Sequence, residues 1–171
     1  MKTQSFKLFE LLQLEAELSG VLNQKTGERV LEGLLSQKLS LTTKYWLNGL
    51  VTTLLDEKKQ IETLRDELIK KHGTADADGN IGISMYVETG ETDADGELIK
   101  GTDGKPLTAV NPKYLEFNAE YNALLNESKD IKVPSIKFTE LEKIETEENY
   151  NLVLKYLVEA PVEEPAAEEV K

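Results

Sequence analysis

The residues whose spacing could do chemistry lie in two short acidic loops. Asp76-Ala77-Asp78-Gly79-Asn80 puts side-chain oxygens at the first, third and fifth positions, as at the start of a calcium loop whose oxygens surround the ion. The remainder of that pattern is missing. Ile81 stands where the loop needs glycine and Val87 where it needs a bidentate glutamate, with Glu88 one place late. Asp93-Ala94-Asp95-Gly96-Glu97 opens the same way and then places Leu98 at the glycine position. Asp and Gly in this density are equally the chemistry of tight turns, which accounts for both loops. Asp76, Asp78 and Asn80 stay on as candidate metal ligands, and no cofactor is expected.

Other chemistry fares worse. Gly101-Thr102-Asp103-Gly104-Lys105 has two residues between its glycines where a phosphate loop has four, and Pro106 follows where Ser or Thr should hold magnesium. The sequence has no cysteine, which removes disulfides, thiolate nucleophiles and zinc ribbons. His72 is the only histidine, so one chain cannot build a histidine-pair metal site. At the end of a long helix it is expected to complement the dipole or to bond terminal carbonyls. Nucleophile-elbow, zinc-protease and dinucleotide patterns are absent from the sequence. Lys58, Lys59, Arg65, Lys70 and Lys71 alternate with Asp56, Glu57, Glu62, Asp66 and Glu67, which reads as a solvated, salt-bridged helix face. Tyr45 and Trp46 are expected in core packing, within reach of Tyr114 and Phe117. An enzyme is not expected.

The elements that would position these residues are mainly helical. Leu11, Leu14, Leu18 and Val21 predict a helix over 5–22, the Asn23–Gly27 segment has turn chemistry, and Val30, Leu31, Leu34 and Leu35 predict a short second helix with Gly33 as its weak point. The longest periodic run begins after Ser40, a good N-cap, and stops at Gly73, placed as the residue after the last turn. This helix, 41–72, would be about 48 Å long at 1.5 Å per residue. Leu47, Leu50, Leu54, Glu57, Ile61, Leu64 and Leu68 alternate by three and four, a seam that must lie against another helix. Val51, Leu55 and Ile69 widen the stripe and favour an intramolecular bundle or hairpin over a two-stranded coiled coil. Glu57 is a polar residue in the seam, of the kind that sets register.

Beyond Gly73 the period changes to two. Ile81, Ile83, Met85 and Val87 predict a half-buried strand, with partners at 98–100 and 106–110 through Asp95-Gly96 and Asp103-Gly104 turns. Asn111-Pro112 opens a helix with Phe117, Tyr121, Leu124 and Leu125 on its apolar face. Ile131, Val133, Ile136 and Phe138 around Pro134 suggest an edge strand, Leu141 and Ile144 a short turn, and Thr146-Glu147-Glu148 the start of a last helix carrying Tyr150, Val153, Leu154 and Leu157. Beyond Glu159 the Ala, Pro, Val and Glu composition predicts a disordered acidic tail. The expected fold is α+β and predominantly α: a helical hairpin or bundle over 1–75, an Asp/Gly-rich β-hairpin or meander over 76–110, a helix, edge strand and C-terminal helix over 111–158, and a tail over 159–171.

Of the 171 residues 39% are hydrophobic and 30% charged, enough for one modest core with segments left outside it. Residues 1–75 hold 11 Lys and Arg against 10 Asp and Glu, while residues 76–171 hold 9 against 22, so the net charge of −12 belongs to the second half. Such a surface repels phosphate backbones and favours basic partners or plain solubility. Charges interrupt the apolar residues near the N-terminus, and no run approaches the roughly 20 apolar residues that span a bilayer, so a cytoplasmic protein without membrane insertion is expected.

The stretches 38–47 (KLSLTTKYWL), 64–73 (LRDELIKKHG), Asp78-Gly79-Asn80-Ile81 and 111–117 (NPKYLEF) come in an order that resembles a family of small proteins of tailed bacteriophages, encoded near structural genes. The likeness spans about residues 20–158 and rests on architecture, so it transfers no functional residues; the Asp/Gly-rich insertion at 90–105 is longer than the family pattern. It implies a virion or assembly role. The leading expectation is therefore a non-enzymatic structural or protein-interaction module with other proteins, such as phage structural proteins, or its own copies as partners, and with no direct nucleic-acid contact. Two alternatives stand beside it: a divalent-cation-binding regulator using the two Asp/Gly loops, and an acidic decoy for DNA-binding proteins.

Overall fold

The computed structural model describes residues 1–92, 94, 97–100, 105–142, 144 and 148–159. The protein is α+β. In chain order its elements are β1 (Lys2–Lys7), α1 (Leu8–Ser19), β2 (Val21–Leu22), β3 (Arg29–Leu31), a 3-10 turn (Leu34–Ser36), α2 (Leu41–His72), β4 (Thr74–Ala75), β5 (Ile81–Gly82), β6 (Tyr86–Glu88), β7 (Thr108–Val110), α3 (Pro112–Leu125), β8 (Ser128–Val133), β9 (Ile136–Lys137), α4 (Phe138–Leu141), α5 (Asn151–Tyr156) and β10 (Val158–Glu159). Asp93, the Asp95-Gly96 and Asp103-Gly104 turns, Thr146-Glu147 and the tail from residue 160 lie outside the described residues. The chain divides into two units, residues 1–59 with 128–171 and residues 60–127, where the sequence reading drew its boundaries at 75, 110 and 158.

Unit 1 holds the core. β1 pairs antiparallel with β8 from Lys2↔Val133 to Lys7↔Ser128, a strand pair that joins the start of the chain to a segment more than 120 residues away. Phe6, Ile131 and Val133 are buried on this ribbon, with Leu11, Leu14 and Leu18 of α1, Leu47, Leu50 and Leu54 of α2, and Leu152, Val153 and Leu157 at the C-terminal end. The Phe6 ring meets Tyr156 edge-on at 4.5 Å between centroids. β9 and β10 pair in parallel, and β2 and β3 form a hairpin whose turn is closed by the Asn23 side chain, which accepts from the N–H groups of Lys25 (2.9 Å) and Thr26 (3.3 Å).

Buried carboxylates organise this unit as much as leucines do. Glu17 of α1, 3% exposed, accepts from the N–H of Leu152 at 2.9 Å and of Val153 at 3.0 Å. The first turn of α5 is thus capped from another helix, since Tyr150 at its N-cap makes no side-chain cap bond. Glu15 pairs with Lys58 of α2 at 2.9 Å, and Glu57 of α2 pairs with Lys129 of β8 at 2.6 Å. Glu10 accepts from Lys7 N–H (2.9 Å), Tyr156 Oη (2.7 Å) and Lys155 Nζ (3.2 Å). Burial would push the Glu10 carboxyl up, but these three donors together outweigh it and hold the group below its ordinary value. No buried side-chain nitrogen or oxygen among the described residues lacks a hydrogen-bond partner.

Several predicted elements differ. The first helix starts at Leu8 and ends at Ser19; residues 2–7 form a strand because β8 pairs with them, and Val21 lies in β2. The predicted second helix is replaced by β3 and a single 3-10 turn. Gly20 and Gly33 explain why: Gly20 has φ +85°, and a Cβ on it would come within 2.7 Å of Gly33 N and 2.8 Å of Leu31 O. A Cβ on Gly33 would collide with the backbone of Leu18, Ser19 and Gly20. Two chain segments cross at these glycines, a constraint that a helical turn could not meet. Phe138, expected in the edge strand with Ile131, Val133 and Ile136, is exposed and begins α4 directly after β9, and Pro134 falls in the break between β8 and β9.

Unit 2 contains the C-terminal part of α2, strands β4 to β7 and α3. β4 pairs with β5 across the Asp76–Asn80 turn, so the partner of the Ile81 segment is Thr74-Ala75 rather than the predicted 98–100. β6 pairs with β7, and bridges Thr92↔Leu98 and Lys100↔Pro106 extend a small meander. The expected half-buried strand is exposed at Ile81, Met85 and Val87. Asn111 caps α3 by accepting from Lys113 N–H at 3.0 Å, and its side-chain amide donates to Ser84 O at 2.9 Å, which ties the meander to the helix. Gly73 follows α2 without a positive φ; it is needed because a Cβ there would lie 2.7 Å from Gly82 O and 2.8 Å from Ile81 Cγ2.

Candidate functional site

The apolar row of α2 is the feature around which the sequence organises any functional surface. The Ser40 hydroxyl accepts from Thr43 N–H at 3.2 Å and starts the helix; Lys70, Lys71 and His72 in its last turn oppose the dipole favourably. Along the row Leu47, Leu50, Leu54 and Ile61 are at most 2% exposed. Leu64 is 42% exposed and Leu68 only half-buried. The predicted burial of the whole row therefore holds for its first four leucine and isoleucine positions and stops in the last turns. In unit 1 the ties of α2 run to α1 through Glu15, to β8 through Lys129, and to α4, whose Glu140 accepts from Ser40 N–H at 3.2 Å, so the neighbours of the seam include a strand as well as helices.

Leu64 and Leu68 open onto a groove of about 450 Å³ between α2 and α3. It is lined further by Ala123 and Leu124 and by Glu67 and Glu127. Lys71 and Glu120, also among its lining residues, form an ion pair at 2.7 Å. The hydrogen bonds from Lys71, and behind them those from His72, hold the Glu120 carboxyl below its ordinary value. Ala123, Glu67 and Glu127 were not legible as site residues, because each looks like an ordinary surface position until α3 is placed beside α2. The only sequence signal was that the row runs on to Leu68 while its neighbours become charged.

His72 is 7% exposed and lies between two carboxylates of α3, with Nδ1 3.4 Å from Glu116 and Nε2 3.2 Å from Glu120. It joins two helices rather than serving terminal carbonyls. The two carboxylates sit on separate ring nitrogens and do not converge with it on one point. Asp76 Oδ1 accepts from the N–H groups of Asp78 (2.9 Å) and Asn80 (2.8 Å), and its Oδ2 from Asn80 Nδ2 (3.3 Å). The Asn80 N–H leads the interactions that hold this carboxyl below its ordinary value. Asp76, Asp78 and Asn80 are thus brought together as a turn, with Gly79 at φ +82°, and the carboxylate is spent on the turn's own backbone. Among the described residues no three His, Asp or Glu side chains are grouped to hold a metal ion.

Tyr45 and Trp46 meet each other at 5.2 Å between centroids but are 70% and 45% exposed, which overturns the expectation of core packing. They follow the last residues before the seam turns inward, where a period of three and four alone does not say on which side the core lies. Tyr114, Phe117 and Tyr121 form their own ladder along α3, at 6.3 and 5.8 Å. The basic residues of α2 pair partly outside the helix, Lys58 with Glu15 and Lys71 with Glu120, while Arg65 bonds Asp66 beside it. No helix among the described residues is long and apolar enough to cross a membrane. Comparison with protein-family models, curated proteins and solved structures finds no match to the chain.

Proposed function

We propose that the protein is a non-enzymatic protein-interaction module, and that unit 2 is the part that meets the partner. The observation that carries this reading is the lack of a core in unit 2. Among its described residues Ile61 is the only buried apolar side chain, while Leu64, Ile81, Met85, Tyr86, Val87 and Val110 are between 40 and 52% exposed. A two-stranded hairpin is marginal in water unless something covers one of its faces. Unit 1 exposes apolar side chains too, Leu22, Val30 and Leu41 among them, but has a buried core beside them; apolar surface without such a core is what a binding partner would cover. The resemblance to tailed-phage proteins supports a setting in particle structure or assembly, with phage structural proteins as partners.

Affinity purification of the tagged full chain from its source cells tests the interaction. The wild type is expected to bring down a discrete protein partner, and an Ile81→Ser/Met85→Ser/Val87→Ser variant that melts at the same temperature is expected to lose it. Equal recovery by both chains removes unit 2 from the reading, and recovery of no protein by either removes the reading itself. Mass spectrometry of purified phage particles and their precursors tests the setting: absence of the chain from all of them would leave the phage assignment without support.

A further inference from the structure

We infer that the groove between the C-terminal turns of α2 and α3 is a docking site for a basic amphipathic helix of a partner protein. The inference rests on the reading of unit 2 as an interaction unit and names one surface and one partner chemistry for it. Its geometry starts from the heptad row. Leu47, Leu50, Leu54 and Ile61 are buried, and the same row then reaches the groove as Leu64 and Leu68, with Ala123 and Leu124 of α3 beside them. Residues 64 to 71 span about 12 Å, two helical turns. Two leucines at a spacing of four, flanked by a second helix, are the half of a three-helix contact that a third apolar stripe completes.

Charge decides what the third helix carries. Lys71 is neutralised by Glu120, whereas neither Glu67 nor Glu127 forms an ion pair among the described residues. The groove therefore carries two carboxylates that form no ion pair among the described residues, beside the apolar side chains of Leu64, Leu68, Ala123 and Leu124. A second copy of the chain would bring the same glutamates to the same seam and set like charges against one another. The chain's own C-terminal segment is excluded on the same ground, with Glu163, Glu164, Glu168 and Glu169 against Lys171. A helix with leucines on one face and Lys or Arg beside them matches both the apolar and the acidic lining of the groove.

The test uses the full-length chain and three synthetic two-heptad peptides: one with leucines at a and d and Lys elsewhere on its flanks, one with the same leucines and Glu flanks, and one with Lys flanks and Ser for leucine. Fluorescence anisotropy is expected to show saturable binding of the first peptide alone. Leu64→Ser/Leu68→Ser should weaken it by about tenfold or more. Glu67→Lys/Glu127→Lys should transfer the preference to the Glu-flanked peptide. All four side chains are exposed or half-buried, so both variants are expected to melt near the wild type, and the charge-swapped protein supplies a gain of binding that unfolding could not mimic. No saturable binding, equal binding of the leucine-free or Glu-flanked peptide, or indifference to both double variants would overturn the inference. Should the groove fail while partner capture still depends on Ile81, Met85 and Val87, the broader reading survives without it; should the peptide bind while capture fails, the groove stands alone.

Discussion

Unit 1 closes Leu14, Leu18, Leu54 and Val133 almost completely from water, whereas unit 2, with an apolar vocabulary of the same kind, buries Ile61 and leaves Ile81, Met85, Val87 and Val110 substantially exposed. The difference lies in connectivity more than in composition. In unit 1 the six residues Lys2–Lys7 pair with β8, and α1 is joined to α5 through Glu17, so segments distant in sequence enclose a common interior. In unit 2 the described strands are two or three residues long and pair only two by two, β4 with β5 across a tight turn and β6 with β7 across residues 89–107, so each pair has little to enclose an interior. A protein can thus hold a conventional core and still leave apolar side chains exposed among its described residues.

The largest expected effect is on the core. Leu14→Ala should cost about 2 to 5 kcal/mol in denaturant unfolding, through lost transfer energy and the cavity left behind. A loss below about 1 kcal/mol at this position would mean that the division between the units is softer than the burial implies. Next comes Glu17→Ala, which strips the buried N–H groups of Leu152 and Val153 of their acceptor and should cost about 1 to 3 kcal/mol. Hydrogen exchange should locate that loss in α5, and Glu17→Gln, which keeps an acceptor oxygen, should recover part of it.

On the other side of the comparison, Ile81→Ser or Val87→Ser should shift stability by no more than about 0.5 kcal/mol, as for surface positions. Amide exchange in β4 to β7 should be faster than in β1 and β8 in the same sample, because few buried contacts oppose local opening there. A finding of equal protection would show that unit 2 is held by interactions that burial does not reveal.

The smallest effect separates the two units by pH. Glu10 in unit 1 has a folded pKa below its unfolded value, which is near 4.5. Its stabilising contribution is complete above that unfolded value and is lost as pH falls through the lower folded one. Glu10→Gln should therefore lower stability at neutral pH, where the carboxylate's contribution is complete, and flatten the acid limb so that the two stability curves converge below about pH 4.5. An unchanged acid limb, followed by urea melts at several pH values, would show that Lys7, Tyr156 and Lys155 do not act on this carboxylate as their distances imply.

Local signals carried the sequence reading where the physics is local. Ser40 and Gly73 mark the two ends of α2, Asn111-Pro112 marks the start of α3, and Asn23 closes the turn expected at Asn23–Gly27. Each of these depends on residues within one or two turns of one another, and one hydrogen bond or one periodicity suffices. The alternation at Ile131, Val133 and Ile136 likewise showed one buried face before any partner was known.

Tertiary structure alone decided the rest. Lys2–Lys7 has one buried residue, Phe6, and becomes a strand because β8 supplies the ladder. Gly33 looked like a flaw in a helix and is the point where the chain passes against Gly20. Glu17, a carboxylate among the leucines of α1, caps a helix 135 residues away. Period and composition give the direction in which a side chain points relative to its own backbone; what stands in that direction, core, carboxylate or open groove, depends on which distant segment is folded there, as Leu54 and Leu64 on a single helix show.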